Sequence, residues 1–318
     1  MGFKAFALGI ALFFFLDSKA QMTPASCPES AQYYAKDSIN VVTFGASTVQ
    51  GVNGLNFQTY LTGNFVRCYS GKTVDITNYG IGGETTGQGL ARLDQAIVGK
   101  TGFIIISMGV NDALAINDRK LTAKETEANM RQIIQRSLDA GLVPILCTLQ
   151  FLDDRRDGRL RRTNEIIKQL NSIYISMAKE YKINLADINN FIKRDFTLYQ
   201  DTVHPNARGY RLIAFVLFDT INKIIAERFL AFTVTQNYPN PAAEITKVDI
   251  VLPEAEKVEM KLYNMRGALI KTVLNEYMNT GKHVVEINTS LLTPGIYIYR
   301  VITDSGNYSS SKKFIVVH

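Results

Sequence analysis

Between Asn40 and about Arg228, short apolar runs alternate with longer amphipathic ones. The short runs fall at residues 41–44, 74–79, 103–108, 143–148 and 183–187. Helical spacing of apolar positions covers about 57–67, 85–98, 122–140, 160–181 and 206–229. Strands that are apolar at nearly every position are covered on both faces, and strands alternating with helices read as a parallel sheet between helical layers. Five such units predict an open, doubly wound α/β domain, in which ligands sit at the carboxyl ends of the strands.

After Phe229 the rhythm changes. Residues 246–252, 257–264, 268–274, 283–288, 295–303 and 310–317 are strand-like, and many alternate apolar and polar residues as half-buried antiparallel strands do. The turns between them carry Tyr238-Pro239-Asn240-Pro241, Met265-Arg266-Gly267, Thr280-Gly281, Pro294-Gly295 and Asp304-Ser305-Gly306. This predicts a small all-β immunoglobulin-like sandwich over 232–318, after an α/β domain over 38–230, with the boundary near 230–236. A length of 318 residues accommodates two domains at roughly 150 residues each.

Composition narrows the function. Lys+Arg 35 against Asp+Glu 29 gives a net +6, which is mildly basic for a chain of this length. No run of five Lys/Arg occurs, so no nucleic acid partner is expected. Cys27, Cys68 and Cys147 are far apart with no C-x-x-C, which argues against a zinc ribbon or a thioredoxin-type site. One bridge plus one spare thiol is compatible with three cysteines, but sequence does not pair them. His204, His283 and His318 are the only histidines, and no H-E-x-x-H is present. Neither a metal nor a cofactor is expected. Gly80-Ile81-Gly82-Gly83 sits where a dinucleotide fingerprint would, but Thr85 occupies the place of its third glycine. Gly71-Lys72-Thr73 lacks the earlier glycine of a phosphate loop, because Val66 stands there. Backbone N–H groups at such a glycine turn instead suit an anion, and an oxyanion is one.

Residues 1–20 read as a signal peptide. Lys4 precedes the apolar run 5–16, and Ser18-Lys19-Ala20 supplies small residues for cleavage. A run of 12 apolar residues is short of the roughly 20 that span a bilayer. The reading is a chain exported through the periplasm, secreted or held at the cell surface, with no transmembrane segment.

Four blocks carry candidate chemistry. Phe44-Gly45-Ala46-Ser47-Thr48 follows the first strand, and Asn78-Tyr79-Gly80-Ile81-Gly82-Gly83-Glu84-Thr85-Thr86 follows the second. Met108-Gly109-Val110-Asn111-Asp112 follows the third, and Asp201-Thr202-Val203-His204-Pro205-Asn206 precedes the last helix. All four belong to one edge of the predicted sheet. Over residues 38–228 this pattern resembles the SGNH (GDSL-type) hydrolases, closest to small bacterial esterase, thioesterase and lysophospholipase members. The stretch from Gly83 to Leu93 carries much of the likeness. The resemblance implies a flavodoxin-like fold around a five-stranded parallel sheet.

It also implies roles. Ser47 would be the nucleophile, His204 its general base, and Asp201 the carboxylate that orients the imidazole. The N–H groups of Ser47 and Gly83 and the side-chain amide of Asn111 would form the oxyanion hole. A serine hydroxyl needs a base to become a nucleophile, the base needs an orienting carboxylate, and the tetrahedral oxyanion needs preorganised donors. Two departures stand out. Ala46 replaces the Asp of Gly-Asp-Ser, and Val49 excludes a G-x-S-x-G elbow. Asp112 reads as a structural turn carboxylate and Glu84 as a solvated acid of a first helical turn. Arg155, Arg156, Arg159, Arg161 and Arg162 read as a solvated face, or as a greeting surface for an anionic substrate, beside the specificity loop 150–160. His283 and His318 are expected to have no catalytic part.

The C-terminal region resembles the type A sorting domain of type IX secretion substrates. The likeness rests on Gln236-Asn237-Tyr238-Pro239-Asn240-Pro241, Leu262-Tyr263-Asn264-Met265-Arg266-Gly267, the stretch from Pro294 to Val301, and the closing Lys312-Lys313-Phe314-Ile315-Val316. It implies outer-membrane secretion machinery as a partner. The competing reading is a carbohydrate-binding sandwich, which would need Tyr297 and Tyr299, on one face by parity, to be exposed. For the whole chain the expectation is a secreted serine esterase acting on acyl esters through an acyl-Ser47 intermediate, lysophospholipase- or thioesterase-like. The alternatives are a carbohydrate O-acetylesterase and a non-catalytic binding module on an esterase fold.

Overall fold

The computed structural model describes residues 26–317; the expected leader over residues 1–20, and His318, lie outside the described residues. The first part runs β1 (Ser38–Gly45), α1 (Ser47–Gln50), α2 (Phe57–Cys68), β2 (Thr73–Gly80), α3 (Thr86–Ala91), α4 (Leu93–Ile97), β3 (Phe103–Ser107), α5 (Val110–Asn117), α6 (Ala123–Asp139), β4 (Val143–Cys147), α7 (Gly158–Glu180), β5 (Asn184–Ala186), α8 (Ile188–Ile192) and α9 (Ala207–Arg228). The five strands pair in parallel in the order β2-β1-β3-β4-β5. Side chains of successive strand residues point to opposite faces. Ile39 and Val41 of β1 therefore pack under α2, α8 and α9, while Val42 and Phe44 pack under α4, α6 and α7. Phe103 and Ile105 divide from Ile104 and Ile106 in the same way on β3. Both faces are dry, so these strands carry no polar alternation.

The order of strands reverses between β1 and β3, which opens a crevice at their carboxyl ends. Gly45 ends β1 at that crevice. A Cβ there would lie 2.3 Å from Ser107 O and 2.4 Å from Val49 Cγ2, so only glycine lets β1, β3 and α1 close this tightly.

The helix expected over 85–98 is two helices, broken at Arg92 (φ −112°, ψ 8°). Gly87 and Gly89 weaken the helical run. Gly89 also packs so closely that a Cβ would lie 2.5 Å from Met108 Sδ. The short helices α1, α5 and α8 were not anticipated, because elements of four, eight and five residues carry too few turns for a period to show. Helix α6 starts on a capping box in which the Thr122 and Glu125 side chains each bond the other's backbone N–H.

The second part contains β6 (Thr233–Val234), β7 (Ile245–Leu252), β8 (Glu256–Asn264), β9 (Leu269–Met278), β10 (Gly281–Asn288), β11 (Gly295–Thr303) and β12 (Ser309–Val316). They form an antiparallel sheet β10-β7-β6 and another, β12-β11-β8-β9. Val248, Ile250, Met260, Leu262, Val301 and Phe314 fill the space between them. Tyr297 and Tyr299 belong to this core at 7% and 0% exposure. They share a face, as parity requires, but it is the inner one, so they form no aromatic platform for a sugar. The Cys27–Cys68 disulfide ties the start of the described chain to the end of α2, and Cys147 is a buried free thiol.

Candidate functional site

Ser47 is the first residue of α1, separated from the end of β1 only by Ala46. Its hydroxyl is thereby lifted into the crevice, and its backbone N–H lies at a helix start, where no intrahelical acceptor exists. His204 comes from the loop that ends at α9. Asn206 caps that helix, its side chain accepting from the N–H groups of Arg208 at 2.9 Å and Gly209 at 3.1 Å. His204 Nε2 lies 2.9 Å from Ser47 Oγ, and Nδ1 lies 2.8 Å from Asp201 Oδ2. The second oxygen, Asp201 Oδ1, accepts the backbone N–H of Val203 and of His204, each at 2.7 Å. With the carboxylate on Nδ1, that nitrogen carries the proton and Nε2 is free to accept from Ser47. Partial burial pushes the Asp201 carboxyl up, but the His204 and Val203 N–H groups and the imidazole outweigh it and hold the carboxyl below its ordinary range.

The loop is fixed from outside as well. Tyr199 Oη donates to Phe151 O at 2.6 Å, and Asp153 N donates to Thr202 O at 2.8 Å. Gln150 Nε2 donates to Thr48 Oγ1 at 3.0 Å, so the loop after β4 touches both sides of the Ser47–His204 pair.

The turn after β2 approaches from the other side. Asn78 donates to the carbonyls of Val49 at 3.0 Å and Gln50 at 3.2 Å, and Gly82 N donates to Gln50 Oε1 at 2.9 Å. A Cβ on Gly82 would sit 3.8 Å from Ser47 Cβ, so this turn borders Ser47. Gly83 follows with φ +80°, a left-handed conformation that glycine adopts without strain. Asn111 reaches the same loop from α5, its Nδ2 donating to Glu84 O at 2.9 Å. An amide nitrogen carries two N–H groups, and this bond uses one. The structure thus brings Ser47, Asp201 and His204 into one hydrogen-bonded chain, with Gly83 on a neighbouring loop and Asn111 of α5 bonded to that loop.

Two expectations about acids change or sharpen. Glu84 is not a solvated first-turn acid: it precedes the Thr85 cap and forms a largely buried ion pair with Arg92, their side chains 14% and 11% exposed. Asp112 is structural. It is fully buried and accepts from the Thr86 N–H at 2.9 Å and from the hydroxyls of Thr86 and Thr126. Burial pushes its carboxyl up despite those donors. Among the arginines, Arg155 pairs with Asp153 at 2.7 Å and Arg159 with Asp118 at 2.8 Å, while Arg156, Arg161 and Arg162 are exposed. His283 lies on β10, its Nε2 2.6 Å from Asn279 O. Sequence reasoning missed Arg92, Gln50, Asn78, Tyr199 and Gln150. Asn78 opens the second block and Arg92 lies in the stretch from Gly83 to Leu93, but nothing in the spacing of any of the five names its partner.

Residues 43–212 match the model of the GDSL-like lipase/acylhydrolase family, and residues 236–317 match that of the secretion system C-terminal sorting domain. The chain is 29% identical over 143 residues to thioesterase 1/protease 1/lysophospholipase L1 of Escherichia coli strain K12, covering 44% of this chain and 63% of that protein's length. It is 23% identical over 184 residues to an acetylxylan esterase of Geobacillus stearothermophilus, covering 52% of this chain and 80% of the other. The fold is similar to the crystal structure of the lipase/acylhydrolase from Enterococcus faecalis, with a TM-score of 0.51 and 22% identity over 58% of this chain and 96% of that one.

Proposed function

The chain belongs to the GDSL-like lipase/acylhydrolase family, and on that premise we propose that it is an exported serine esterase in which Ser47, His204 and Asp201 carry the chemistry. The observation that supports this best is the continuous relay from Asp201 Oδ2 through the imidazole to Ser47 Oγ, at 2.8 and 2.9 Å. His204 takes the Ser47 proton as Oγ attacks the ester carbonyl. The new C–O bond places negative charge on the former carbonyl oxygen. The N–H groups of Ser47 and Gly83 and the remaining N–H of the Asn111 amide receive it. Collapse expels the alcohol, which takes the proton from His204, and leaves an acyl-Ser47 ester. Water, deprotonated by His204, then attacks the acyl carbon, and as the C–Oγ bond breaks His204 returns that proton to Ser47 Oγ and the carboxylic acid is released. Asp201 stays ionised throughout and stabilises the imidazolium formed twice in the cycle.

The substrate is a carboxylic ester, acyl or acetyl. The likeness to the lysophospholipase/thioesterase favours the first and the likeness to the acetylxylan esterase the second. The complete relay argues against a non-catalytic binding module. The sorting domain over 236–317 implies export to the cell surface or the medium. In our reading the export begins with the leader over 1–20, the α/β part over 38–230 is the cargo, and the β part over 232–318 engages outer-membrane secretion machinery. Hydrolysis of a p-nitrophenyl ester series from acetyl to palmitoyl by the full chain and its Ser47→Ala variant tests the reading. Activity that peaks at acetyl and vanishes in the variant indicates an acetylesterase, and a peak at longer chains indicates an acyl esterase. Undiminished activity of Ser47→Ala would overturn the assignment.

A further inference from the structure

Arg92 occupies the break between α3 and α4, and its guanidinium makes contacts in three directions. Nε donates to Glu84 at 2.7 Å and Nη2 lies 2.6 Å from the same carboxylate. Nη2 also donates to the carbonyl of Gly45 at 3.1 Å. The guanidinium carbon stands 4.7 Å from the centre of the Phe44 ring. Phe44 and Gly45 are the last residues of β1, immediately before Ala46 and Ser47. Glu84 immediately follows Gly83, and its own carbonyl holds the Asn111 amide at 2.9 Å. One largely buried cation therefore links the strand that leads to Ser47 to the loop that carries one proposed oxyanion donor, Gly83, and anchors a second, Asn111 of α5.

Other tethers run to α1: Asn78 bonds the carbonyls of Val49 and Gln50, and Gly82 N bonds Gln50 Oε1. Ile81 N donates to Gly45 O at 3.1 Å, so the same carbonyl serves both the loop backbone and Arg92. Ala46 has no polar side chain to add a tether, and it makes no side-chain cap to α1. An arginine suits the task better than a lysine. Its planar fork can satisfy a carboxylate with two N–H groups, reach a carbonyl with the same terminal nitrogen, and lie over an aromatic ring.

We propose that the Glu84–Arg92 pair is the brace that sets the distance between Ser47 and the oxyanion loop, with Arg92 a positioning residue for ester hydrolysis. The catalytic part of this rests on the esterase reading above. The brace acts before chemistry, by holding donors where charge will develop, so its loss misplaces the transition state more than the ground state. Substrate recognition at the rim is left intact.

The test uses the full chain as Arg92→Gln, Arg92→Lys and the double variant Glu84→Gln/Arg92→Met. The double variant removes both charges, so no buried charge is left without a partner. For Arg92→Gln, kcat on the best p-nitrophenyl ester is expected to fall on the order of 10²-fold while KM changes by less than about threefold. Arg92→Lys is expected to recover little of it. The double variant should regain the thermal midpoint of the parent but not its kcat. Hydrogen exchange of segments 44–50 and 79–86 should rise in all three. A double variant with parental kcat would reduce the pair to a stabilising contact and overturn the proposal. Unchanged exchange in both segments would overturn it too, and that readout does not require turnover. Should the parent protein hydrolyse no ester at all, the esterase reading fails, and the exchange data alone then decide whether the brace exists.

Discussion

Asp201 and His204 are bound to each other twice. The carboxylate meets Nδ1 of the imidazole at 2.8 Å with one oxygen and the backbone N–H of the same histidine at 2.7 Å with the other. A spacing of three residues makes this possible, because the chain turns once between the two and the side chain of the first folds back over the turn. The carboxylate proposed to orient the imidazole is thus fixed to the same short turn as the imidazole itself. Its side chain is 47% exposed, so the geometry comes from the local turn and not from enclosure.

Replacing Asp201 by Asn keeps the shape and removes the charge. The amide still accepts from the two backbone N–H groups with its oxygen, but it presents N–H to Nδ1 and selects the wrong tautomer. kcat is expected to fall about 10³-fold with little change in KM. Steady-state kinetics on the best ester checks this, and an Asn variant within tenfold of the parent would contradict the role.

The pH dependence of that carboxylate has a definite sign. Its folded pKa is depressed, so its contribution to stability is present above the ordinary Asp value of about 3.9 and is lost as pH falls through the lower folded value. A carboxyl-carbon NMR titration of Asp201 should therefore give a midpoint below that of an unperturbed Asp. A midpoint above it would mean that burial outweighs the His204 and Val203 donors.

Asn111→Ala removes one proposed oxyanion donor and the hydrogen bond to Glu84 O. A loss of on the order of 10²–10³-fold in kcat is expected, with KM nearly constant. Gly83→Ala tests the neighbouring donor differently. The added Cβ meets nothing within 4 Å, but φ +80° strains any residue that carries one. About 1 kcal/mol of stability should be lost, readable in urea unfolding.

Asp112 behaves in the opposite sense to Asp201. Burial raises its folded pKa, so ionisation costs stability, and that cost disappears as pH falls through the raised value toward the ordinary one. Asp112→Ala leaves the buried Thr86 N–H without an acceptor and is expected to lower stability by about 1–3 kcal/mol at pH 7. Against Asp112→Asn, the parent should gain stability as pH drops from 7 toward about 4, near the ordinary Asp value. Parallel denaturant curves at the two pH values would test this, and a difference independent of pH would contradict it.

The Cys27–Cys68 bridge joins residues 41 apart. A loop of that length restricts the unfolded chain enough for about 4 kcal/mol of stabilisation. The Cys27→Ser/Cys68→Ser variant should unfold at correspondingly lower denaturant. Cys147, whose thiol burial pushes up to about 12, should react with a thiol reagent only after unfolding.

Much of this molecule is local and was legible as such. Runs at 41–44, 103–108 and 143–148 read as strands buried on both faces, because they are apolar at nearly every position and carry no alternation of apolar with charged residues. Ser47 just past a strand, Gly83 in a glycine turn and the Asp201–His204 spacing all carry their conformations within a few residues. The tertiary structure alone decided the pairings across distance. Ser47 meets a histidine 157 residues away. Cys27 takes Cys68 in preference to Cys147, which β4 buries in the core. Glu84, an acid that periodicity assigns to solvent, is drawn inward by Arg92, because the helix breaks there and the guanidinium finds Gly45 O and Phe44 beside it. Tyr297 and Tyr299 shared a face on parity alone, but parity has no sign, and only the second sheet across the core made that face the inner one. Period and turn chemistry act between near neighbours along the chain. Which buried charge meets which, and which face of a strand is dry, depends on what other elements pack against it.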